Sequence, residues 1–324
     1  MFHSTTTIRA LLGAVLATAT LLAQAAFPEG PIKLVVGFPP GGGGDTYGRL
    51  VAEHMGKSLG RTIIVDNKPG AGGNLAADAV AKARPDGHTL LLAMSGNIAL
   101  APVLRGDRLP YKVPDDFALI GTAIEAPHGL FVASTSKYTT ARDFIAAARG
   151  GKMTFASTGM GGAAHIGMEM VLQAAKLPML HVPYKGSGPA INDLLGGQVD
   201  SFFATAPPVM GQVKGGKLRL LAITGEQRNA TMPEVPTFKE LGIPVVVTQW
   251  YGVVAPAGTP AEVVELLSRH LSRALASPEF KAVVRQDGAL EFDRPRDEFR
   301  KYLQQDMADY KRGLTPELVK QALQ

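Results

Sequence analysis

Gly41, Gly42, Gly43 and Gly44 follow Pro39 and Pro40 and precede Asp45, linking an apolar strand pattern, IKLVVGF, to a helical pattern over 45–59. A strand that turns into a helix through bare backbone presents amide N–H groups at a helix N-terminus, where aligned peptide dipoles carry partial positive charge. This arrangement suits an anion, either a phosphate or a carboxylate. One glycine suffices for a tight turn, whereas several in a row let backbone approach a bound group closely. Asp45 invites a catalytic reading, but a carboxylate at a helix start most simply accepts orphan amides, so a capping role is expected.

Asp66 ends the next strand pattern about twenty residues after the glycines, where a ribose-binding acid of a dinucleotide site would stand. The spacing fails, because the G-x-G-x-x-G template begun at Gly42 requires glycine where the chain has Tyr47. A second loop, FASTGMGGAAHIGMEM, repeats the first arrangement: a strand ends at Ser157 and a helix opens near Ala163. Ser157, Thr158 and the amides from Gly159 onward could hold a second anionic group. Two such helix N-termini facing across a cleft suit a dicarboxylate. Ser95 and Asn97 follow the third strand, and Tyr184, Lys185 and Gly186 stand at the equivalent strand end of the second half, the end at which parallel sheets bind ligands.

Other chemistries lack their residues. His165 and Glu169 are four apart on a helix, but two ligands are too few for a metal; the remaining histidines are dispersed, so no metal is expected. Packing or capping is the expected role of His165. Ser95 and Ser187 lack the G-x-S-x-G elbow of a nucleophile. Trp250, the only tryptophan, and Tyr251 read as core residues. No cofactor is expected.

The elements that must position these loops alternate. Strand patterns at 32–38, 62–66 and 88–94 are separated by helical patterns over 45–59, which Gly60 can stop, and 74–83. This βαβαβ run is the signature of a parallel sheet covered by helices. Strands at 128–134, 153–157, 179–184, 199–204 and 218–224, with helices over 140–149, 163–175 and 189–195, indicate a second parallel-rich lobe. After a turn-rich stretch over 231–244, a strand at 250–256 and helices over 260–276, 278–286 and 295–310 close the chain, packing back on the first lobe.

Arg9, an uncharged Ala/Leu-rich run over 10–23 and Ala23-Gln24-Ala25 have the form of a secretory leader, expected to be cleaved after Ala25. Removing 25 of the 324 residues leaves 299, comfortable for two lobes. There is no cysteine, which excludes disulfide stapling and thiolate metal sites. The net charge of +5 becomes +4 without Arg9, and its basic residues are scattered, unlike the concentrated basic face of a nucleic-acid binder. No nucleic-acid partner is expected.

FPPGGGGD, VDNKPGAGGN, FASTGMGGAAH, HVPYKGSGPAINDLLGGQVD, MPEVPT and VVAPAGTP, in this order and spacing, resemble the Bug family, the extracytoplasmic solute receptors of tripartite tricarboxylate transporters. The resemblance covers essentially the whole mature chain. It implies an α/β type II periplasmic binding protein fold, two lobes each with a mostly parallel sheet flanked by helices, and a ligand in the interlobe cleft. The lobes are expected at 26–125 with 249–324, and at 126–248. It further implies a periplasmic, monomeric receptor without enzymatic activity, which captures a small mono- or dicarboxylate and delivers it to membrane permease subunits. The positions that match the family's ligand contacts are Phe38, Pro40, Gly41, Gly42, Gly43, Gly44 and Asp45 in the first loop, then Ser95 with Asn97. In the second half they are Ser157, Thr158, Gly159, His165, Tyr184 and Gly186. Gly44 stands where the family commonly has a hydroxyl, and Gly162-Ala163-Ala164 also lack hydroxyls, which implies a less polar cleft and a ligand less polar than citrate. An exported α/β enzyme acting on a carboxylate, or a receptor serving a sensor partner instead of a transporter, are the alternatives.

Overall fold

The structure is a computed structural model that describes residues 27–323; the expected leader over 1–25 lies outside the described residues. Strand β1 (Ile32–Val36) runs through the Gly41–Gly44 loop into helix α1 (Gly43–Leu59), and β2 (Ile63–Asn67), α2 (Asn74–Ala81) and β3 (Thr89–Met94) follow. Both faces of β1 are covered. Leu34 and Val36 pack with Tyr47, Val51 and Met55 of α1, whereas Val35 packs with Ala76 and Val80 of α2. This two-sided burial is why IKLVV reads as a nearly continuous apolar run instead of an alternating one. Gly60 ends α1 in the left-handed region, at φ 65°.

A π-helical turn (Ser95–Leu100) and the short α3 (Ala101–Arg105) lead to β4 (Phe117–Ala133), a 17-residue strand. Then come α4 (Ala141–Ala148), β5 (Thr154–Ser157), α5 (Ala163–Ala175), β6 (Leu180–Pro183), α6 (Ser187–Leu195), β7 (Ser201–Thr205), α7 (Pro207–Lys214) and β8 (Leu218–Ile223). β9 (Thr248–Pro256), α8 (Ala261–Leu275), α9 (Pro278–Gln286), the two-residue β10 (Leu290–Glu291), α10 (Arg296–Gly313) and α11 (Pro316–Leu323) complete the chain.

The strands order as β2-β1-β3-β9-β4-β7-β5-β6, with β8 and β10 also on β4. β4 joins the two halves. Residues 117–127 pair with β9, and residues 128–133 pair with β7 and β8. The parallel part expected of each lobe is present, β1 with β2 and β3 and β5 with β6 and β7, and one isolated parallel bridge joins Ile223 to Thr237. Every pairing of β4 and β9 is antiparallel, because these strands carry the chain across between the halves. The first part of β4 carries no clear strand pattern. Gly121 and Pro127 look like breakers, and register shifts at Leu119/Gly121 and Thr122/Ile124 disrupt the two-residue alternation.

Candidate functional site

The first glycine loop is shaped from behind. Gly41 takes φ 81°, and Gly42 is the N-cap of α1 at φ −85° and ψ 168°, with no side chain capping the helix. Asp45, expected to cap the first-turn amides, reaches back instead and accepts the Gly41 N–H through Oδ2 at 3.0 Å. Arg49 donates to Asp45 through Nε at 3.0 Å and pairs through Nη2 at 2.9 Å, and Asn67 donates from Nδ2 at 3.0 Å. Burial opposes ionisation of Asp45, but the bonds from Arg49, Gly41 and Asn67 outweigh it and hold the carboxyl below the usual range. The first amides of α1 are left to the cleft.

The second loop repeats this backbone. Gly161 takes φ 68°, and Gly162 is the N-cap of α5 at φ −79° and ψ 166°, again without a side-chain cap. The Gly161 N–H donates to His165 Nδ1 at 3.0 Å, so the imidazole carries its proton on Nε2, which lies 3.7 Å from Glu169. The His165 ring stacks on His181 with centroids 3.8 Å apart, and His181 stacks on Phe155 at 4.8 Å. His181 Nε2 meets Ser157 Oγ at 2.7 Å. Burial pushes His165 down to about 4; burial and the neighbouring His165 push His181 down to about 3; burial pushes Glu169 up to about 7. The two stacked imidazoles behind this loop are neutral near pH 7.

The two helix N-termini open on one narrow cleft of about 50 Å³. Phe38, Gly42, Gly43, Gly44 and Met94 form its first wall, with Gly96 of the π-helical turn. Thr158, Gly159, Gly162, Ala163, Gly186 and Thr205 form the second. The walls touch: a Cβ on Gly43 would come within 2.7 Å of Thr205 Oγ1, and one on Gly186 within 2.8 Å of Pro39 Cγ. The side chains lining the cleft include no Lys, Arg, Asp or Glu. An anion here would be met by peptide amides and helix dipoles, worth up to about 2 kcal/mol each in a partly buried setting.

Thus Phe38, Gly42, Gly43, Gly44, Thr158, Gly159 and Gly186 stand on the cleft wall. Pro40 and Gly41 are exposed on the outer turn, whereas Asp45, Ser157 and His165 lie buried behind the loops. Ser95 is buried with its Oγ 3.5 Å from Thr248 O. Asn97 accepts the Met94 N–H at 2.9 Å and donates to Gly73 O at 3.4 Å, fastening the π-helical turn to the neighbouring loop. Tyr184 donates to Asp193 at 2.6 Å, and Lys185 is exposed.

Trp250 and Tyr251 are both buried in the core, as expected, but Tyr251 also lines the cleft with its hydroxyl 3.5 Å from Thr205 Oγ1, while Trp250 points the other way and donates to Asp306 at 2.6 Å. Successive residues of a strand face opposite sides, so the two aromatics cannot share a role. His128 and Gln249 also line the cleft and were missed, since both sit inside strands with no local signal. Thr205 could have been found, because it closes β7 as Ser157 closes β5. Among the described residues, no group of three or more His, Cys, Asp or Glu could hold a metal, and no helix is long and apolar enough to cross a membrane.

A larger cavity of about 770 Å³ lies on the other face of the β4–β9 ribbon, reached by Glu125, Pro127 and Thr248. In its walls Glu125, Glu226, Asp306 and Asp309 outnumber Arg228 and Arg285, and burial pushes Asp306 up to about 7. An excess of acids is the wrong lining for an anion. The smaller cleft is the better anion site.

Two lobes joined by long crossover strands, with glycine loops facing across a cleft, define a solute-binding protein of the periplasmic type. Residues 48–315 match the tripartite tricarboxylate transporter family receptor, and the chain belongs to that family. It is 38% identical over 285 residues to protein BugT of Bordetella pertussis, covering 86% of each chain. The structure of the periplasmic binding protein BugD superposes with a TM-score of 0.83 at 33% identity, covering 91% of this chain and 98% of that one. MatC from Rhodopseudomonas palustris with bound malate gives 0.80 at 31% identity, covering 89% and 99%.

Proposed function

We propose that this chain is a periplasmic receptor that closes two lobes, 26–125 with 249–324 and 126–248, on a small carboxylate and delivers it to the permease subunits of a tripartite tricarboxylate-type transporter. One observation carries the reading: two uncapped helix N-termini, each opened by an extended glycine N-cap, meet in a cleft without charged side chains. Such a site favours an anion over a cation or a neutral solute. The amides of Gly43, Gly44, Ala163 and Ala164 supply the donors, and Asp45 and His165 hold the loops in shape from behind. Malate bound to a relative of 31% identity agrees with this chemistry. The protein acts as a monomer and changes no bond in its ligand.

The observation favouring an enzyme is the 2.7 Å Ser157–His181 contact. A base in such a pair needs an orienting partner and an accessible nucleophile. His181 Nδ1 has none among the described residues, Ser157 is fully buried, and an imidazole near 3 is a poor base at neutral pH. Isothermal titration against citrate, malate, adipate and benzoate, followed by mass spectrometry of the recovered acid, tests both readings. Saturable binding with the acid recovered unchanged is expected. Absence of binding by every carboxylate would overturn the receptor reading, and turnover would favour the enzyme.

A further inference from the structure

The cleft has donors at both ends, but its floor is different. Gln249 of β9 stands opposite Ala126 of β4, and His128 lies two residues further along β4. Residues two apart on a strand share a face, so His128 and Gln249 are diagonal neighbours on the cleft side of the ribbon. Both line the cleft, and both are almost fully buried.

Each is held so that it offers a lone pair. His128 Nδ1 faces Val247 O at 3.5 Å; a carbonyl can only accept, so Nδ1 carries the proton and Nε2 does not. The ring is fixed by stacking on Phe203, with centroids 5.3 Å apart and planes within 6°, and the backbone N–H of His128 donates to Thr224 Oγ1 at 3.0 Å. Gln249 donates from Nε2 to Trp250 O at 2.9 Å, which leaves its Oε1 as an acceptor. Neither His128 Nε2 nor Gln249 Oε1 has a hydrogen-bond partner among the described residues, yet neither is sealed from the cleft. Burial, opposed only by the contact with Val247, pushes His128 down to about 4, so the imidazole is neutral near pH 7.

We propose that His128 and Gln249 are specificity-determining residues, which select carboxylates bearing a hydrogen-bond donor, a hydroxyl or an ammonium, over the unsubstituted acid of the same length. The inference rests on the carboxylate reading above and adds the group between the acid and the rest of the ligand. A bound acid without a donor covers both acceptors and leaves them unpaired away from water, which a buried polar group pays for in free energy. Sites built around a ligand hydroxyl reject the analogue lacking it strongly for this reason.

Calorimetric titration of the full chain with matched pairs tests this: lactate against propionate, malate against succinate, 2-hydroxyglutarate against glutarate. Aspartate and glutamate separate an ammonium from a hydroxyl. In the pair of best-fitting length the substituted acid is expected to bind about tenfold tighter or more. His128→Phe, which retains the stack on Phe203, and Gln249→Met are each expected to bring that ratio to within about twofold. Equal affinities within every pair in the unaltered protein would overturn the inference while leaving the carboxylate reading intact, and so would variants that keep the ratio. Binding of no acid at all would overturn the carboxylate reading, and this inference with it. The ratio in the unaltered protein stands as a test even if a variant does not fold.

Discussion

Gly41-Gly42-Gly43-Gly44-Asp45 and Gly161-Gly162-Ala163-Ala164-His165 build nearly the same helix entrance from different chemistry. In both, the first glycine has positive φ, the second is an extended N-cap, and the third helical residue reaches back to the first glycine's N–H at 3.0 Å. In the first loop the acceptor is an ionised carboxylate clasped by Arg49 and Asn67; in the second it is a neutral imidazole stacked on His181. What the entrance requires is an acceptor at that position. The charge is optional. By drawing the third residue backward, either version leaves the first helical amides uncapped, and those amides make the cleft attractive to an anion.

The largest expected effect comes from filling an entrance with an anion of the protein's own. Gly42 and Gly162 have φ values that any residue accepts, and the nearest atom to a Cβ at either is a carbonyl oxygen at 3.6 Å. Gly42→Asp and Gly162→Asp should therefore fold, with stability unchanged or raised by a few tenths of a kcal/mol through capping. Ligand affinity should fall by about a hundredfold or more, as the new carboxylate occupies the amides. Calorimetry beside thermal unfolding checks both signs. Unaltered affinity in one variant would show that its loop is only a turn.

Breaking the clamps separates the loops next. Asp45→Ala strands the Gly41 N–H and releases Arg49 and Asn67, and it should cost about 2 kcal/mol in denaturant unfolding. His165→Asn keeps an acceptor in place but loses the stack, and should cost about 1 kcal/mol at pH 7.5. Equal losses would argue against the distinction between the clamps.

Their contributions should both be lost as pH falls, but in different windows. The His165 pKa is about 4 folded, against about 6.5 in an unfolded chain, so the unfolded state binds more protons between these values. Stability due to neutral His165 is present above about pH 6.5 and lost as pH falls towards 4. Glu169, raised to about 7, acts oppositely, its contribution being lost as pH rises through that value. Subtracting variant from parent isolates each clamp. The deficit of His165→Asn should shrink between pH 6.5 and 4, whereas that of Asp45→Asn should stay level there and shrink only below about 4, since Asp45 is held below its usual range. Urea unfolding at stepped pH reads both curves. Parallel curves would remove the contrast.

The smallest effect belongs to Gly44. A Cβ there meets Met94 Sδ at 3.3 Å and Phe38 Cδ2 at 3.4 Å, and the thioether end of methionine can move by the few tenths of an ångström required. Gly44→Ser should shift stability by less than about 1 kcal/mol in thermal unfolding. A larger loss would show Met94 to be rigidly held.

Both glycine entrances were legible because their signal is local: an apolar strand, a run of glycines and a helix start lie within twenty residues of one another. The strand-end logic that marked Ser157 also reached the neighbourhood of Ser95, though Gly96 beside it is what lines the cleft. β4 was only half legible, since its bulges break the alternation by which a strand is recognised. His128, Gln249 and Tyr251 were not legible as cleft residues. Each lies within a strand, where the residue type says nothing about which of two faces meets the cleft.

The sequence by itself determined the alternation of strands and helices, the two backbone devices for an anion and the family to which the chain belongs, because φ freedom at glycine, apolar periodicity and ordered motifs are properties of short stretches. Tertiary structure alone decided that Asp45 and His165 stand behind their loops, that Tyr251 faces the cleft while Trp250 turns away, and that two lone pairs lie on its floor. Those outcomes depend on strand register between β4 and β9 and on which element packs behind each loop. The register joins residues more than a hundred positions apart, such as Ala126 and Gln249, and the partners behind the loops, Asn67 for Asp45 and His181 for His165, come from separate elements, so no single local pattern encodes either.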